Sequence, residues 1–337
     1  MTMKEIGSEF WEKYEVDTKR KTNNVEYLLS GRIALDFILK DIGTNRKIHT
    51  AMLPSYCCDS MIVPFVKNGI DVIFYNVDSN GIHYPKESSC DVVLLLDYFG
   101  YENYETKNIA KSEYESGKII IYDSTHKLNG NPSLERWAHY SFCSYRKWFY
   151  CNYAKVIKHN GFFNNKSQMG KFESYIKLRD KAAMLKCRYM LDEIQDKTDF
   201  LTDFADAEKM IESNYENLAG ILVDFPIHDV IKKRQENARY LINRLLRCPE
   251  IKLLNSSVKE DDAPLFVPIL VSAKKRENLR KYLIEKNIYC PIHWPKTSLQ
   301  IMHSDLYDKE ISLICDQRYT VSDMDYIADE IEKFFCM

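Results

Sequence analysis

The sequence predicts an α/β protein whose large sheet is mostly parallel and covered by helices on both faces, followed by a smaller α+β unit. In the first half of the chain, signals for strands and helices alternate, which is the pattern of a parallel sheet with crossover helices. Residues 91–96 (DVVLLL) form a continuous apolar run, typical of a strand buried on both faces. After a helical middle region the alternation resumes on a smaller scale. Ligands of such sheets bind at the carboxyl ends of the strands.

The first half contains a regular series of elements. Residues 31–40 (GRIALDFILK) are largely apolar and follow a serine, which predicts a buried helix. Residues 48–53, which lead to Pro54, predict a short strand. The remaining elements follow in chain order: helix 57–67, strands 71–77 and 91–96, helix 104–116, and strands 118–122, 139–145 and 155–158.

The second half begins with a helical region. Residues 171–219 contain neither Gly nor Pro, which favours two or three helices. Pro268 interrupts strand 265–271 and therefore predicts a position near a sheet edge. The other elements are helices 230–246, 274–286 and 322–335 and strands 288–292 and 311–315. We predict three parts of the chain: an N-terminal helix and arm over residues 1–24, a large α/β domain over 25–220 and a small α+β domain over 221–337.

The composition argues against several classes of function. With 47 Lys and Arg against 49 Asp and Glu, the net charge of −2 provides no basic surface for nucleic acid or for an anionic membrane. The longest apolar runs are too short to span a bilayer, and the first residues (MTMKE) carry no secretory signal. The ten cysteines include no C-x-x-C pair, so we expect neither disulfides nor a metal site. We expect a cytoplasmic protein.

Two short motifs stand at the ends of predicted elements. Gly31 and Arg32 follow Ser30 at the start of a helix, where backbone amides and an arginine can bind an anion. The same residues also fit an ordinary helix cap. Asp123 ends a strand, and His126 lies three residues further on. An acid in this place is either a functional group or a cap, and the local sequence does not decide between them.

The third motif is SYRKW (144–148), which follows a predicted strand. Aromatic residues near Lys147 remove water from its ammonium group, which makes this lysine a candidate for Schiff-base chemistry; a surface lysine with an extended stem is the alternative. Together the three motifs supply what pyridoxal phosphate (PLP) needs for its phosphate, its pyridine nitrogen and its aldehyde. Lys127 and Lys155 compete with Lys147. Lys147 has a serine three residues before it, at Ser144, as Lys127 has at Ser124, whereas Lys155 has none.

These motifs resemble those of the DegT/StrS-type sugar aminotransferases over nearly the whole chain. No single segment is specific to that family. The combination of seven similar segments in the family's order is specific to it. The similar segments are SGRIAL (30–35), LPSYC (53–57), YFG (98–100), DSTH (123–126), SFCSYRKW (141–148), CPIHW (290–294) and SLICDQRY (312–319).

The resemblance implies an aspartate-aminotransferase-like PLP fold of type I, in which Lys147 forms the Schiff base with pyridoxal 5'-phosphate and Asp123 pairs with the pyridine nitrogen. It also implies a homodimer in which glutamate donates an amino group to a keto sugar carried on a nucleotide, in surface-polysaccharide or secondary-metabolite synthesis. For substrate binding it suggests His293 and Arg318. The cofactor-binding residues that it implies are Gly31, Arg32, Cys58, Asp123, His126 and Ser144.

The chain departs from the family pattern at three places. FYCNYA (149–154) replaces the glycine-rich turn that usually follows the lysine, and Cys58 replaces an aromatic residue that often stacks on the cofactor. A motif that crosses the dimer has only a faint counterpart in Asn214 and Tyr215. These differences leave open a second hypothesis, a PLP-fold protein that binds a sugar nucleotide or a partner without transamination. A dehydrogenase is disfavoured because the glycine fingerprint for a dinucleotide is absent.

Overall fold

A computed structural model describes residues 5–12, 23–165, 173–212, 225–300 and 302–336. The strands are β1 (Ile6–Gly7), β2 (Val25–Leu28), β3 (Thr50–Pro54), β4 (Asp71–Asp78), β5 (Gly81–His83), β6 (Val92–Leu96), β7 (Ile119–Asp123), β8 (Tyr140–Ser144), β9 (Ala154–Lys158), β10 (Lys252–Leu253), β11 (Val267–Leu270), β12 (Ile288–Tyr289) and β13 (Glu310–Leu313). The helices are α1 (Gly31–Gly43), α2 (Asp59–Lys67), α3 (Tyr104–Glu115), α4 (Pro132–Glu135), α5 (Glu173–Met190), α6 (Thr198–Glu212), α7 (Ile227–Leu245), α8 (Ala273–Glu285), α9 (Leu306–Lys309) and α10 (Val321–Cys336). Short 3-10 turns, Tyr98–Gly100 and Tyr145–Lys147, follow β6 and β8.

The large sheet has eight strands in the order β2-β9-β8-β7-β6-β3-β4-β5. Strands β4, β3, β6, β7 and β8 run parallel, while β9 and β5 pair antiparallel with their neighbours. Every residue of β6 is buried. Its alternate side chains belong to two separate cores, one packed against α1 and α2 and the other against α3 and α4. The predicted mostly parallel sheet with helices on both faces is therefore confirmed.

The C-terminal unit contains a three-stranded antiparallel sheet in the order β10-β11-β13. Helices α7, α8 and α10 pack with these strands around a core of their own. The prediction that Pro268 marks an edge is wrong, because β11 is the central strand. Pro268 instead lies opposite Leu254, just past the end of the two-residue strand β10, where its missing N–H ends the pairing. A proline is tolerated here because the neighbouring strand is so short.

The N-terminal arm lies against the C-terminal unit. Strand β1 pairs in parallel with β12, and the amide of Gly7 donates a hydrogen bond of 2.8 Å to the Tyr319 hydroxyl. Trp11 is buried against α5 and α6. The helix predicted in this arm does not occur in residues 5–12 and 23–24, and the rest of the arm lies outside the described residues. The boundary predicted at residues 220 and 221 also lies outside them, so the three domain ranges stay a prediction.

All ten cysteines are free thiols; five of them are buried and Cys336 is exposed. Among the residues that the structure describes, no helix is both long and apolar enough to cross a bilayer.

The turn after β6 joins the large sheet to the C-terminal unit. Phe99 and Gly100 both have left-handed backbones, with φ of 58° and 91°. Their carbonyl groups accept hydrogen bonds of 2.8 and 2.9 Å from the amides of Leu265 and Ala263. A Cβ on Gly100 would lie 1.8 Å from the carbonyl oxygen of Ala263, so this close approach requires glycine.

We expect Gly100→Ala to lower the free energy of unfolding by at least about 2 kcal/mol, because the new methyl group collides with backbone and the left-handed conformation penalises a side chain. Gly43→Ala is the matched control: a Cβ there meets no atom within 4 Å, and alanine favours the helix. Urea unfolding followed by circular dichroism measures both variants. A midpoint for Gly100→Ala equal to that of the wild type would contradict the argument.

Candidate active site

A cavity of about 260 Å³ lies at the carboxyl ends of β7 and β8. Seven of the nine predicted site residues line it, and two do not: His293 lies behind the wall of the cavity and Arg318 lies elsewhere. The seven lining residues are Gly31, Arg32, Cys58, Asp123, His126, Ser144 and Lys147. The motifs that are scattered over more than a hundred residues of sequence are therefore brought together in one place.

One corner of the cavity is suited to an anion. Ser30 caps helix α1 with an extended backbone, and its Oγ accepts a hydrogen bond of 3.3 Å from the amide of Ile33. The amide of Gly31 lies in the first turn, at the positive end of the helix dipole. A Cβ on Gly31 would lie 3.4 Å from the Cβ of Ser144, so the absence of a side chain leaves room between the helix and the Ser144 hydroxyl. A phosphate fits the chemistry of this corner.

Asp123 is a buried acid at the end of β7. Only 7% of the residue is exposed, and Oδ1 accepts a hydrogen bond of 2.8 Å from the amide of Thr125. Burial raises the pKa of Asp123 to about 6, although Thr125 and Lys147 act in the opposite direction. A neighbouring cation stabilises the charged form of a buried carboxylate such as that of Asp123. The protonated nitrogen of a pyridine ring is such a cation.

Lys147 is the lysine that faces the cavity. It ends the 3-10 turn after β8 and lines the cavity. Because the residue is exposed, the loss of water expected from its aromatic neighbours is not observed. The two competing lysines are placed differently. Lys127 is buried, with Nζ donating to the carbonyl of Asp261. Lys155 lies within β9, paired with Tyr27 and Cys143. Among the described lysines, geometry therefore favours Lys147 over both.

Two histidines lie at the back of the cavity, His126 on its wall and His293 behind it. The amide of Phe99 donates a hydrogen bond of 3.0 Å to Nδ1 of His126, so the proton of a neutral His126 ring is on Nε2. That Nε2 lies 2.7 Å from Nε2 of His293, which then accepts. Burial lowers the pKa of His126 to about 3, and the charge of Lys147 adds to this effect. Both rings are therefore neutral at physiological pH, with their tautomers assigned by the hydrogen bonds.

Trp294 is a lining residue that the sequence reasoning did not select, although it follows His293 in the motif CPIHW. Its ring stacks on His126 at 5.2 Å between centroids and 26° between planes. The φ of Trp294 is 115°, a strained value for a bulky residue and one that is most often found at functional sites. Cys58 also lines the cavity, where its Sγ lies 2.9 Å from the hydroxyl of Ser60.

Comparison with solved structures finds the same fold in several aminotransferases. PseC of Helicobacter pylori, an aminotransferase involved in the biosynthesis of pseudoaminic acid, has a TM-score of 0.67 at 13% identity, covering 98% of this chain and 99% of its own. NtdA of Bacillus subtilis, solved with bound cofactor PMP, has a TM-score of 0.60 at 14% identity, with coverages of 93% and 73%. A DegT/DnrJ/EryC1/StrS aminotransferase of Brucella abortus has a TM-score of 0.58 at 16% identity, with coverages of 92% and 85%. The chain has the fold of these aminotransferases. No protein-family model and no curated protein matches its sequence.

The aminotransferase fold confirms the predicted fold class and explains why the three motifs meet. Three charged residues also lie on the cavity wall: Glu9, Arg146 and Glu208. Sequence reasoning missed Glu9 and Glu208 because both lie in segments whose charge pattern resembles an ordinary surface. Arg146 lies within the motif SYRKW, and its direct neighbour Lys147 is the one signal in the sequence that could have identified it.

Arg318 does not line the cavity. Its guanidinium pairs with Asp316 at 2.7 Å and donates a hydrogen bond of 3.2 Å to the carbonyl of Glu9. It also lies over the ring of Phe10 at 4.1 Å. Arg318 thus holds the N-terminal arm in place, and the suggestion that it binds substrate has no support from its position.

The segment that replaces the family's glycine-rich turn is part of the core. Trp148 and Phe149 are fully buried, and the ring of Phe149 stacks on Phe225 at 3.9 Å. The indole Nε1 of Trp148 donates a hydrogen bond of 2.7 Å to the carbonyl of Thr125. Asn214 and Tyr215, the faint counterpart of the dimer motif, lie outside the described residues.

The raised pKa of Asp123 predicts a pH-dependent effect on stability. Its value of about 6 is above the 3.8 of a free side chain, so the folded protein holds this proton more tightly than the unfolded chain. The contribution of Asp123 to the free energy of unfolding therefore falls as the pH rises from about 4 to about 6. We expect the cofactor-free Asp123→Asn variant to be more stable than the wild type by about 2 kcal/mol at about pH 8, and by much less near pH 4.

Urea unfolding at the two pH values measures this difference. Asp229→Asn is the control, because it makes the same substitution at an exposed residue, in the first turn of α7. A difference between Asp123→Asn and the wild type that stays the same at both pH values would show that burial does not perturb Asp123.

Proposed function

We propose that this protein is a PLP-dependent aminotransferase that transfers an amino group from glutamate to a keto sugar carried on a nucleotide. The observation that supports this most strongly is the meeting of Lys147, Asp123 and the anion-binding corner of Gly31 and Ser144 in one cavity. The fold is shared with PseC, an aminotransferase involved in the biosynthesis of pseudoaminic acid, and with NtdA, solved with bound PMP, and is consistent with this proposal. Surface-polysaccharide or secondary-metabolite synthesis is the proposed setting, in the cytoplasm.

The described residues fit the cofactor group by group. Gly31, Arg32 and Ser144 would hold its phosphate, and Asp123 would keep a proton on its ring nitrogen because a buried carboxylate favours a neighbouring cation. When bound, PLP supplies an electron sink for the negative charge that develops on a substrate carbon. Cys58 and His126 line the same cavity and would bound the space for the ring.

Lys147 is the proposed proton carrier. Its Nζ would first remove the proton from the α-carbon of the donor as a general base, and then return a proton as a general acid. The neutral pair His126 and His293 provides a wall that neither adds charge to the cavity nor competes for this proton, because the pKa values of both rings lie below the ordinary range. Trp294 would exclude water from the same side.

We expect PLP to attach to Lys147. After incubation with PLP, reduction with borohydride and digestion, mass spectrometry should locate one pyridoxyl group on this residue. Lys147→Ala should lose the label while circular dichroism remains unchanged, and Lys155→Ala, the matched control in β9, should keep it. A label on Lys127 or Lys155 would show that the catalytic assignment is wrong. A folded protein without any label would instead favour the second hypothesis, binding without transamination.

We also propose that the protein is a homodimer in which two copies complete each other's sites. An isologous interface of the obligate class buries more than roughly 2,000 Å² in total. Light scattering at micromolar concentration should therefore give twice the mass of the chain. A monomer under these conditions that still transaminates would refute the dimer without affecting the assignment of Lys147.

A further inference from the structure

The charged residues of the cavity wall form a connected cluster beside Lys147. Glu208 of α6 accepts from two guanidinium groups through one oxygen: Oε1 bonds to Nη2 of Arg146 and, at 3.2 Å, to Nη1 of Arg179. Arg179 also pairs with Oε2 of Glu9 at 3.4 Å. The cluster thus contains two cations and two anions, and three of its four members, all but Arg179, line the cavity.

The arm presents Glu9 to this cluster by an unusual backbone. Gly7 and Ser8 both have left-handed conformations, with φ of 96° and 66°. The carbonyl of Glu9 accepts hydrogen bonds from Lys186 at 2.7 Å and from Arg318 at 3.2 Å. The Glu9 side chain is 45% exposed. Its partial desolvation would raise the pKa of Glu9, but the charges of Arg179, Arg146 and Lys147 hold it below its ordinary value. Glu9 is therefore a fixed anion that compensates Arg179.

The two arginines, Arg179 and Arg146, differ in whether they can exchange a carboxylate partner for a ligand. Arg179 is 2% exposed and pairs with two carboxylates, those of Glu9 and Glu208. Its positive charge therefore keeps one partner if the other is lost. Arg146 is 18% exposed, lies next to Lys147 in the same turn and faces the cavity. Within the described part of the chain its hydrogen bonds are those to Glu208 and, at 3.4 Å, to the Tyr175 hydroxyl. Most of its five N–H groups thus remain for a ligand.

We propose that Arg146 binds the carboxylate of the amino-acid donor, and that Glu208 is an internal carboxylate that occupies Arg146 when no donor is present. The inference rests on the proposed function, in which the donor's amino group must lie at Lys147. A carboxylate one carbon away from that amino group then lies within range of the adjacent residue, and a planar guanidinium binds carboxylates in a bidentate manner.

The shared oxygen of Glu208 makes the exchange physically simple. When a donor carboxylate pairs with Arg146, Glu208 keeps its hydrogen bond to Arg179, so no buried charge loses its partner. When the keto sugar occupies the site and provides no carboxylate at this point, Glu208 pairs with Arg146 again. One cavity can therefore accept a charged and an uncharged substrate in turn without leaving an unpaired guanidinium.

The direct test is calorimetric titration of the cofactor-free protein with glutarate, with the uncharged diol of the same carbon chain as the comparison ligand. We expect glutarate to bind and the diol not to bind. Arg146→Met should weaken glutarate binding roughly 10- to 100-fold, the value of charge-assisted hydrogen bonds. Arg146→Lys keeps the positive charge but loses the planar guanidinium that can bind both carboxylate oxygens, and it should weaken glutarate binding less than Arg146→Met. Glu208→Gln should strengthen it about threefold or more, because a competing carboxylate is removed.

The matched controls are Arg188→Met and Glu193→Gln, which change the same residue types in an exposed ion pair at the end of α5. Both should bind glutarate like the wild type. Arg32→Met distinguishes the proposed site from the anion-binding corner. Glutarate binding that depends on Arg32 and not on Arg146 overturns the proposal, as does a failure of glutarate to bind.

A second readout separates this inference from the proposed function. In the loaded enzyme, Arg146→Met should raise the KM for L-glutamate and leave the KM for isopropylamine, which has no carboxylate, unchanged. A normal KM for glutamate in an active Arg146→Met enzyme overturns the inference and leaves the proposed function intact. Glutarate binding that depends on Arg146 in a protein whose lysines take no PLP supports the carboxylate site and overturns the proposed function.

Discussion

Thr125 holds the cavity together through all three of its polar groups. Its amide donates to Asp123 at 2.8 Å, its hydroxyl accepts from the amide of Ser144 at 3.1 Å, and its carbonyl accepts from the Trp148 indole at 2.7 Å. One buried residue thereby connects the end of β7, the end of β8 and the turn that carries Lys147. Each of these contacts is a hydrogen bond with a preferred direction. Thr125 therefore sets the relative positions of the Asp123 carboxylate, the Ser144 hydroxyl and the Lys147 amine.

The cavity also depends on contact between the large sheet and the C-terminal unit. Tyr56, which follows β3, donates to the carbonyl of His293 and to Glu310, and Glu310 accepts from the amide of His293 at 3.0 Å. Burial raises the pKa of Glu310 to about 7. The back wall is therefore built across the junction of two cores, and a displacement of one unit would separate His126 from His293 before it disturbed either core. Precise catalytic distances then require a rigid junction.

Most of the fold could be predicted from the sequence, because strands buried on both faces carry an unmistakable apolar pattern. The residues at their carboxyl ends, such as Asp123 and Lys147, were predictable as candidates, because the topology places them at one edge and the resemblance to aminotransferase motifs selects them where the local sequence left their roles open. Glu9, Glu208 and Arg179 were not, since their places follow from tertiary contacts between an arm and two helices. The prediction that Pro268 marks a sheet edge was wrong for the same reason. The proline is tolerated in the central strand β11 because its neighbour β10 is short, and the sequence of β11 does not reveal that length.

The arm has a consequence for how the molecule is made. Strand β1 pairs with β12, and Gly7 bonds to Tyr319, which lies 312 positions further along the chain. A ribosome synthesises Glu9 long before the strand and the hydroxyl that position this part of the arm. Such a distant contact is slow to form and depends on the completed C-terminal unit. The large sheet can therefore assemble before the C-terminal unit has been made, whereas the cavity wall is completed only after it.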